Sequence, residues 1–553
     1  MDSTSITRRK FISAVGAGAL GLSLGGILQG CAGGTQDADS PDAAGDDGTN
    51  GASAKGVIVV MGTGSEPAAG FDPFANWGCA EHMHEPLIQS TLITTTTDMG
   101  FVNDLADSYE SSKDGLTWTF IIRADVKFTD GEPLTAQDVA YTINGIKASP
   151  ISETDFSMMR EAEAPDATTV VIHMVRPYNA LLYLLAVVGI VPEHAHGSDY
   201  GSKPIGSGRY LLEQWDQGQQ VIFVANPDYY GSPVKMERVT VLFMEEDAAL
   251  AAARSGQVDV AYTSAVYSGQ QLDGYGLLAC KSVDSRGISL PTVEPGGTKS
   301  DGETEYPTGN AVTSALEIRR ALNSAVDRQA LVDNVLNGYG SLAYSVCDGM
   351  PWASPDMKVT QDVAGAQALL EGAGWVAGAD GIREKNGVRA TFELYYPAND
   401  SVRQGLASEF SNQVRAIGVE VKVQGAGWSD LYPHQFTDPI LWGWGSNSPT
   451  ELYNLNYSTG SGNFAGYQNS STDGYLDAAL ATPNLADSYK LWQNAQWDGA
   501  TGTAPQGAAT WVWLASIDHL YFTRDGLEVA EQKLHPHGHG WSVVNNVDQW
   551  SWK

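Results

Sequence analysis

The order of apolar and polar positions predicts strand–helix–strand units in the chain. Apolar and polar residues alternate over 392–396, as they do along a half-buried strand. Over 406–417 the apolar residues recur at the spacing of one helical face, and alternation returns over 419–424. The same order of elements occurs over 238–262. Two strands joined by a helix predict a parallel arrangement in an α/β layered domain, with ligands near the carboxyl ends of the strands.

Local signals mark two helix starts and one insertion. Thr135 precedes an apolar-periodic stretch and Asp138 stands three residues later, which predicts a capping-box-like pair. Asp362 precedes a second apolar stripe over 363–373 and should cap that helix. The stretch 292–310 is of low complexity, and we expect it to be a mobile surface insertion.

The first 55 residues have the pattern of an export signal followed by a tether. The basic pair Arg8-Arg9 precedes a weakly apolar run over 11–28, which ends shortly before Cys31. This is typical of a secretory signal, here residues 1–30, and the basic pair resembles that of a twin-arginine signal. The residues before the cysteine resemble a lipobox, so Cys31 is predicted to carry lipid. The rest of residues 31–55 contains no large apolar side chain, and we expect a flexible tether.

Composition narrows the classes of partner. The 553 residues carry 65 acidic and 32 basic side chains, a net charge of −33, which argues against nucleic acid and anionic lipid as partners. Past the signal no apolar run is long enough to cross a membrane, so we expect membrane contact through the lipid anchor alone. The cysteines other than Cys31 are Cys79, Cys280 and Cys347. They do not stand at zinc-ligand spacing, and whether two of them form a disulfide is left open.

Four stretches, spread in order over most of the chain, resemble one known family. They are DGEPLTAQDVAYTI at 130–143, PIGSGRYLLEQWDQGQQVIFVANPDYYG at 204–231, LEIRRALNSAVDRQALVDNVLNGYG at 316–340 and DVAGAQALLEGAGW at 362–375. Together they resemble the family 5 extracellular solute-binding proteins of ABC importers, the peptide and nickel group. The second stretch is the most specific of the four.

The resemblance implies a two-lobed α/β clamshell of the type II periplasmic-binding-protein class, in its large peptide- and nickel-binding subclass. Lobe I would consist of residues 56–285 and 515–553, and lobe II of residues 286–514. A solute would bind in the cleft, and the lobes would close by hinge bending. The resemblance further implies a monomer that requires no cofactor and works with the permease subunits of an ABC importer at the extracytoplasmic face of the membrane.

The usual anchor for a peptide amine is missing. Peptide binders of this family commonly use an aspartate four residues before a proline, and here Gly445 stands four residues before Pro449. A buried ammonium group needs a paired charge or costs several kcal/mol. The sequence therefore weakens the case for a plain dipeptide, unless Asp438 or Glu451 substitutes for the missing aspartate.

Aromatic and polar residues around this position are the candidate solute contacts. Trp442, Trp444 and Tyr453 suit an apolar ligand, a peptide side chain or a flat chelate, and Asn447 is a polar candidate beside them. We expect Trp442 to face the core of its lobe and Trp444 alone to line the cleft.

Histidines are the candidate metal ligands, because neutral imidazole is a common ligand of nickel, copper and zinc. His82 and His84 lie near the start of lobe I, and His535, His537 and His539 alternate with proline and glycine. In an extended strand the last three would face one way, whereas the intervening proline and glycines favour a loop. We expect a structured loop on lobe I beside the cleft, with binding of a metal or a metal chelate as the alternative.

Three function classes compete. The first is a receptor of an ABC importer that captures a short peptide or similar solute, or alternatively nickel or another metal as a small-molecule chelate. The second is a hydrolase or metalloenzyme, but no H-E-x-x-H or G-x-S-x-G motif is present, so we predict a binding protein rather than an enzyme. The third is a non-transport adhesion or signalling receptor on the same fold.

Overall fold

Two large β-sheets with flanking helices and a smaller third sheet make up the chain. The computed structural model describes residues 55–75, 78–79, 82–152, 154–300, 304–538 and 540–553. The predicted signal segment, the predicted lipid site Cys31 and nearly all of the predicted tether lie outside the described residues. In the part that is described, no helix is long and apolar enough to cross a membrane.

The α-helices of the described residues are α1 Ala136–Ala148, α2 Leu181–Leu185, α3 Glu246–Arg254, α4 Leu316–Ala325, α5 Arg328–Asn334, α6 Val363–Gly372, α7 Ser401–Arg415, α8 Trp428–Leu431, α9 Thr450–Asn456, α10 Ser470–Ala481 and α11 Leu485–Gln496.

The β-strands are β1 Gly56–Met61, β2 Gly78–Cys79, β3 His82–Met83, β4 Ile93–Thr95, β5 Phe101–Asn103, β6 Ala106–Ser111, β7 Thr117–Ile122, β8 Met159–Glu163, β9 Thr169–Met174, β10 Tyr210–Asp216, β11 Gln220–Ala225, β12 Arg238–Phe243, β13 Val260–Thr263, β14 Tyr275–Cys280, β15 Ser285–Ser289, β16 Gly297–Ser300, β17 Glu305–Thr308, β18 Gly340–Leu342, β19 Val376–Ala377, β20 Arg383–Lys385, β21 Val388–Arg389, β22 Thr391–Pro397, β23 Glu420–Ala426, β24 Ile440–Trp444, β25 Trp511–Ile517, β26 His519–Arg524, β27 Leu527–Glu528 and β28 Ser551–Trp552.

The first sheet has seven strands in the order β10-β11-β12-β1-β13-β26-β14. β1 pairs in parallel with both β12 and β13, so the strand–helix–strand unit predicted over 238–262 is confirmed. β26 comes from near the C-terminus and pairs antiparallel with β13 and β14. The central valines Val59, Val241 and Val260 are fully buried. We call this sheet, with helix α3, the first lobe.

The second sheet has six strands in the order β18-β25-β15-β24-β22-β23. β22 and β23 pair in parallel, and α7 joins them, as the alternation and the helical spacing predicted. The helix buries Leu406, Phe410 and Val414. On the same lobe Asp362 caps α6 as expected, because its Oδ1 accepts from the Gly365 N–H at 2.7 Å. We call this sheet with its helices the second lobe.

The third sheet is antiparallel, in the order β6-β7-β9-β8, and links the two lobes. Helix α1 packs on it and begins with the predicted capping box, in which the Thr135 N–H donates to Asp138 Oδ2 at 2.9 Å. The apolar core of this sheet is continuous with that of helices α10 and α11 in the second lobe. Asn179 Nδ2 also donates to the Ala479 carbonyl at 2.7 Å. The third sheet, which belongs to the N-terminal part of the chain, therefore contacts the second lobe directly.

Two short segments, which we call the crossovers, connect the first sheet to the second. Residues 281–284 lead from β14 to β15, and Asp518 alone separates β25 from β26. The lobe limits predicted at 285/286 and 514/515 fall within β15 and β25. Two lobes joined by two adjacent crossovers form the α/β clamshell that we predicted, and the crossovers are where a hinge would bend.

The insertion at 292–310 does not behave as expected. It contains the antiparallel hairpin of β16 and β17. Tyr306 is buried beside Phe436, with ring centroids 5.8 Å apart, and Lys299 Nζ lies 4.5 Å from the centroid of the Phe436 ring. The expectation of a mobile surface insertion is wrong for this hairpin, because an aromatic side chain anchors it to the second lobe.

Two of the cysteines are buried free thiols. Cys280 and Cys347 lie in separate parts of the core, in the first lobe and the second lobe respectively. Burial raises the pKa of the Cys280 thiol to about 12 and that of Cys347 further still. Neither thiol is therefore set up as a reactive nucleophile.

Candidate solute-binding site

The carboxyl ends of parallel strands in the two lobes meet, and this contact locates the cleft between them. Glu246 follows β12 in the first lobe, and Ser401 follows β22 in the second. Ser401 Oγ donates to Glu246 Oε2 at 3.1 Å, and Ser264 Oγ lies 3.3 Å from Ser401 Oγ. Burial raises the pKa of Glu246 above its ordinary value. Ligands of α/β proteins bind at this edge of the sheets, so the solute site is expected beside this contact.

A buried carboxylate, Asp284, gathers cationic groups at the junction of the lobes. Asp284 ends the first crossover and is 1% exposed. Its Oδ2 accepts from Arg286 Nη2 at 3.2 Å and from His519 Nε2 at 3.0 Å. Its Oδ1 accepts from His537 Nδ1 at 2.5 Å. Burial by itself would raise the pKa of Asp284, but Arg286 and His537 outweigh burial and hold it well below its ordinary value.

Two buried arginines meet above a glycine of β24. Arg286 is 5% exposed and Arg403, in the first turn of α7, is 7% exposed. A Cβ built on Gly443 would lie 2.5 Å from Arg286 Nη1 and closer still to Arg403 Nη2, so both guanidinium groups lie over this residue. The Nε of each arginine is buried and has no hydrogen-bond partner among the described residues. A pair of guanidinium groups with unused donors is suited to bind a carboxylate.

The two arginines differ in how well their charge is compensated. Burial would lower the pKa of Arg286, but the bound Asp284 outweighs burial and raises it. Arg403 Nη1 lies 3.1 Å from Asp400 Oδ2. Even so, burial, followed by the repulsion of Arg286, lowers the pKa of Arg403 to about 10. Of the two arginines, Arg403 therefore has the charge that its protein neighbours compensate less.

Aromatic rings lie beside Arg403. The Trp428 ring, 40% exposed, has its centroid 5.9 Å from the Arg403 guanidinium carbon. It stacks on Trp442 at 6.1 Å between centroids, and Trp442 stacks on Phe464 at 4.4 Å. The exposed Trp428 ring offers a flat apolar surface next to a cation, which suits a solute with an apolar part and an anionic part.

The structure does not separate the two strand tryptophans as expected. Trp442 and Trp444 are both buried, and both rings contact Phe464, at 4.4 Å and 6.1 Å between centroids. Trp442 Nε1 donates to Ser289 Oγ at 3.0 Å. The prediction that Trp444 alone lines the cleft is wrong, because residues two apart on a strand point to the same face.

Asn447 and Tyr453 are bonded to different parts of the protein. Asn447 Nδ2 donates to the Leu534 carbonyl at 3.1 Å, which holds the loop after β24 against the C-terminal tail. The hydroxyl of Tyr453 donates to Asp477 Oδ1 at 3.1 Å, and Arg176 also lies 3.4 Å from this oxygen. Tyr453 thus takes part in the contact between the third sheet and the second lobe. Among the described residues, its hydroxyl contacts lead to Asp477 and not to Arg286 or Arg403.

His535 is a structural residue of the C-terminal tail. Its side chain is fully buried, its Nδ1 lies 3.0 Å from His519 Nδ1, and its Nε2 lies 3.2 Å from Gln532 Oε1. Its backbone N–H donates to Lys281 O, and its carbonyl accepts from the Val283 N–H. Burial, followed by His519, holds the pKa of His535 well below its ordinary value. A neutral ring with both nitrogens hydrogen-bonded has no nitrogen left for a metal.

His519 uses both of its ring nitrogens, Nδ1 toward His535 and Nε2 toward Asp284. Gln532 Nε2 donates to Asn546 Oδ1 at 2.9 Å, so Gln532 Oε1 faces His535. His535 Nε2 therefore carries the proton of that neutral ring. His519 Nε2 donates, because its partner Asp284 is a carboxylate, which only accepts. The residue after the second crossover is thus hydrogen-bonded to the carboxylate that ends the first.

Of the remaining candidate histidines, His537 and His84 can be placed relative to the arginine pair, whereas His539 and the side chain of His82 cannot. His537 lies at the arginine pair, since a Cβ built on Gly443 would lie 2.7 Å from its Cε1. His84 is buried and borders the same loop, where a Cβ built on Gly538 would lie 3.5 Å from its Cε1. His539 and the side chain of His82 lie outside the described part. Among described residues no group of three or more histidine, cysteine or acidic side chains could hold a metal ion.

Sequence reasoning missed Asp284, Arg286 and Arg403. No motif marks them, and they come together only through the crossover and the start of α7. One signal was available. Arg286 stands in a short strand that also contains Gly287 and Ile288, and a charge in such a strand is unusual unless it has a buried partner.

The comparisons with known proteins agree on one family. The model of the bacterial extracellular solute-binding proteins, family 5 Middle, matches residues 100–466. Protein XP55 of Streptomyces lividans is 34% identical over 492 residues, which cover 84% of this chain and 85% of that protein. The nickel-binding periplasmic protein of Escherichia coli K12 is 29% identical over 369 residues, which cover 64% of this chain and 68% of that protein.

Solved structures show the same fold. NikZ from Campylobacter jejuni in complex with Ni(L-His) has a TM-score of 0.75 and 26% identity, and the match covers 90% of this chain and 100% of that one. AppA from Bacillus subtilis in complex with a nonapeptide has a TM-score of 0.68 and 21% identity, over 90% of this chain and 99% of that one. The likeness to AppA supports the fold alone, at that identity.

Proposed function

Because the chain belongs to the family 5 bacterial extracellular solute-binding proteins, which are binding proteins of ABC importers and not enzymes, we propose that it captures a small solute carrying a carboxylate group. The observation that carries the proposal is the buried pair Arg286 and Arg403 at the junction of the lobes. The solute's carboxylate would bind Arg403 and lie beside Arg286. Delivery to a permease would follow when the lobes open.

The charge balance of the pair supports an anionic solute. Asp284 compensates Arg286, whereas Arg403 keeps a charge that burial and its neighbour both disfavour. A buried charge is costly until a counter-charge with hydrogen bonds reaches it. A carboxylate would supply that counter-charge and accept from the unused guanidinium donors. The site is therefore better satisfied with the solute present than without it.

Short peptides and amino-acid chelates of metals both carry carboxylates. One relative is named an oligopeptide-binding protein, and a similar solved structure holds Ni(L-His). We favour a short peptide or a similar solute, whose apolar part would stack on the exposed Trp428 ring beside Arg403. The sequence candidates Trp442, Trp444 and Tyr453 each contact a group of the protein, so we propose Trp428 as the aromatic solute contact in their place.

The second candidate solute is a metal held by a small chelator, and His537 favours it. Its Nδ1 donates to Asp284, which fixes the orientation of the imidazole beside the arginine pair. His84 borders the same loop and could add an imidazole. The chelator would have to supply most of the ligands, since the described residues hold no cluster that could bind a metal ion by itself.

The cellular part of the proposal rests on the sequence. We propose that cleavage after residue 30 leaves Cys31 lipidated, that residues 31–55 tether a monomeric clamshell to the extracytoplasmic face of the membrane, and that the permease subunits of an ABC importer receive the solute. The non-transport receptor class is kept as the alternative, and a membrane reconstitution assay for solute uptake separates it from the importer class.

The test compares probes that differ only in the carboxylate. Purified full-length protein is titrated calorimetrically with trialanine and trialanine amide, and with nickel plus L-histidine and nickel plus L-histidinamide. We expect the carboxylate form of at least one pair to bind tenfold or more tightly than the amide, because a hydrogen bond to a charged group contributes about 1.5–3 kcal/mol.

Two variants test whether Arg403 causes the preference for the carboxylate probe over its amide. Arg403→Gln should abolish the preference for the carboxylate probe. Arg415→Gln is the matched control, because Arg415 lies at the other end of α7 and its side chain is 59% exposed. That variant should keep the preference. A wild-type protein that binds neither pair, or that does not distinguish carboxylate from amide, would contradict the proposal.

A further inference from the structure

We propose that Asp284 is the positioning residue of the solute site: it fixes Arg286 and His537 on the solute side and His519 on the hinge side. The inference rests on the proposed function, because it concerns the same arginine pair. Asp284 itself lies behind the guanidinium groups and would not touch the solute. It would set the direction in which the solute-facing groups point.

On the solute side, Asp284 holds Arg286 and His537 in fixed orientations. Arg286 meets Asp284 through both terminal nitrogens, with Nη2 at 3.2 Å from Oδ2 and Nη1 on Oδ1. A two-point contact between guanidinium and carboxylate fixes the plane of the guanidinium group as well as its position. Oδ1 also accepts from His537 Nδ1. One carboxylate therefore orients both the second arginine and the candidate imidazole of the site.

The hinge side ties the same carboxylate to the second crossover. His519, the first residue of β26, donates to Asp284 Oδ2 at 3.0 Å, and Asp518 before it is the whole connection to β25. Asp284 is the last residue of the first crossover. The two chain segments that join the lobes are also held together by the ion pair of Lys281 Nζ with Asp518 Oδ2 at 2.7 Å. The contact of Asp284 with His519 is the one that is continuous with the solute site.

The C-terminal tail completes the arrangement. The His537 N–H donates to the Gly445 carbonyl at 2.7 Å in the second lobe, while the His535 carbonyl accepts from the Val283 N–H in the first crossover. A movement of the crossovers would shift Asp284, and with it Arg286 and His537. The preference for a carboxylate should therefore depend on Asp284 although Asp284 carries the same charge as the solute.

This charge makes the test decisive, because two readings of Asp284 predict opposite results. If Asp284 only lowers the positive potential of the site, Asp284→Asn should strengthen the binding of carboxylate probes. If Asp284 positions Arg286, the same variant should weaken it. We expect trialanine, or nickel plus L-histidine if that is the pair that wild type binds, to bind at least tenfold more weakly. The matching amide should change by less than threefold.

A double-mutant cycle separates positioning from a general structural effect. In the Arg286→Met background, Asp284→Asn should change the carboxylate-to-amide ratio of affinities by less than twofold, since the guanidinium group that Asp284 positions is absent. The matched control is Asp259→Asn. Asp259 is another buried carboxylate, paired with Arg524 at 3.0 Å and bonded to the Ile58 N–H at 2.8 Å within the first sheet. This control should lower thermal stability and leave the ratio unchanged.

A second variant is used if Asp284→Asn does not fold. If Asp284→Asn shows no cooperative unfolding transition, His519→Gln takes its place, because it keeps Asp284 with Arg286 and removes the contacts of the His519 ring with Asp284 and His535. It should reduce the carboxylate-to-amide ratio by about threefold.

The outcomes distinguish this inference from the proposed function. An unchanged or tightened affinity of Asp284→Asn for the carboxylate probe, or equal losses for carboxylate and amide, would overturn the positioning role. In the replacement variant an unchanged ratio would do the same. A wild-type protein with no carboxylate preference would instead overturn the proposed function, and this inference with it.

Discussion

A methyl group added at Gly443 should displace Arg286 and Arg403 in the solute site. A Cβ built there would lie 2.5 Å from Arg286 Nη1, 2.7 Å from His537 Cε1, and closest of all to Arg403 Nη2. Ordinary van der Waals contact begins at 3.4 Å, so each of the three groups has to move by about 1 Å or slightly less in Gly443→Ala. The φ angle of Gly443 is not in the left-handed region, so the added methyl group causes the whole effect.

The expected magnitude follows from the geometry of hydrogen bonds to guanidinium groups. These bonds have lengths of roughly 2.7–2.9 Å, and a displacement of about 1 Å breaks them. Loss of one such bond costs about 1.5–3 kcal/mol, which corresponds to a roughly ten- to hundredfold weaker affinity for the carboxylate probe. Isothermal titration of Gly443→Ala with the probe that wild type binds measures the change.

Gly287→Ala is the matched control, because Gly287 lies on the neighbouring strand β15 and is just as crowded. A Cβ there would lie 2.7 Å from Trp513 Cζ3, in the packed interior and not against the arginines. Overpacking should lower its free energy of unfolding by about 1–3 kcal/mol and leave the affinity within twofold of wild type. A Gly443→Ala protein that binds like wild type, or a Gly287→Ala protein that loses as much affinity, would refute the reasoning.

Three further predictions concern the anchor, the contact of the third sheet with the second lobe and the pH dependence of stability. Cys31→Ala should move the protein from the membrane fraction to the soluble fraction on fractionation, and retention in the membrane would contradict the lipid anchor. Asn179→Ala removes a buried hydrogen bond between the segment after the third sheet and Ala479 in α10, so the free energy of unfolding measured in urea should fall by about 1 kcal/mol; an unchanged value would refute this. Burial, then His519, depresses the pKa of His535 below its ordinary 6.5, so below pH 6.5 the unfolded chain binds the extra proton and stability falls on acidification. Urea unfolding at pH 7 and pH 5 should show a loss of up to about 1.4 kcal/mol per pH unit that His535→Gln lacks, and equal slopes for the two proteins would contradict the buried neutral ring.

The parts of the fold that were predictable are those with a local cause. The unit β22-α7-β23 followed from alternation and helical spacing within about thirty residues, because the same side chains that set the pattern form the core. The capping box of α1 followed from Thr135 and Asp138 for the same reason. The hairpin at 292–310 escaped prediction, because its order comes from Tyr306 packing on a distant phenylalanine.

The solute site was not predictable from local patterns. Trp442 and Trp444 were noticed because they are large and aromatic, yet their buried positions make them part of the second-lobe core. Asp284, Arg286 and Arg403 stand in unremarkable stretches of sequence. Their role depends on the crossover, on the start of α7 and on the tail reaching one point, which is a property of the tertiary fold.

The overall charge of the protein is also a poor guide to the sign of its solute, and the reason is physical. The net charge of −33 is a sum over the whole chain, mostly over exposed side chains. Exposed charges separated by more than about 8 Å are largely screened at physiological salt, whereas buried charges are screened much less. The potential that a bound solute experiences is therefore set by its buried neighbours. At this site Arg403 is the neighbour whose charge is least compensated, so an acidic protein can still select an anionic group.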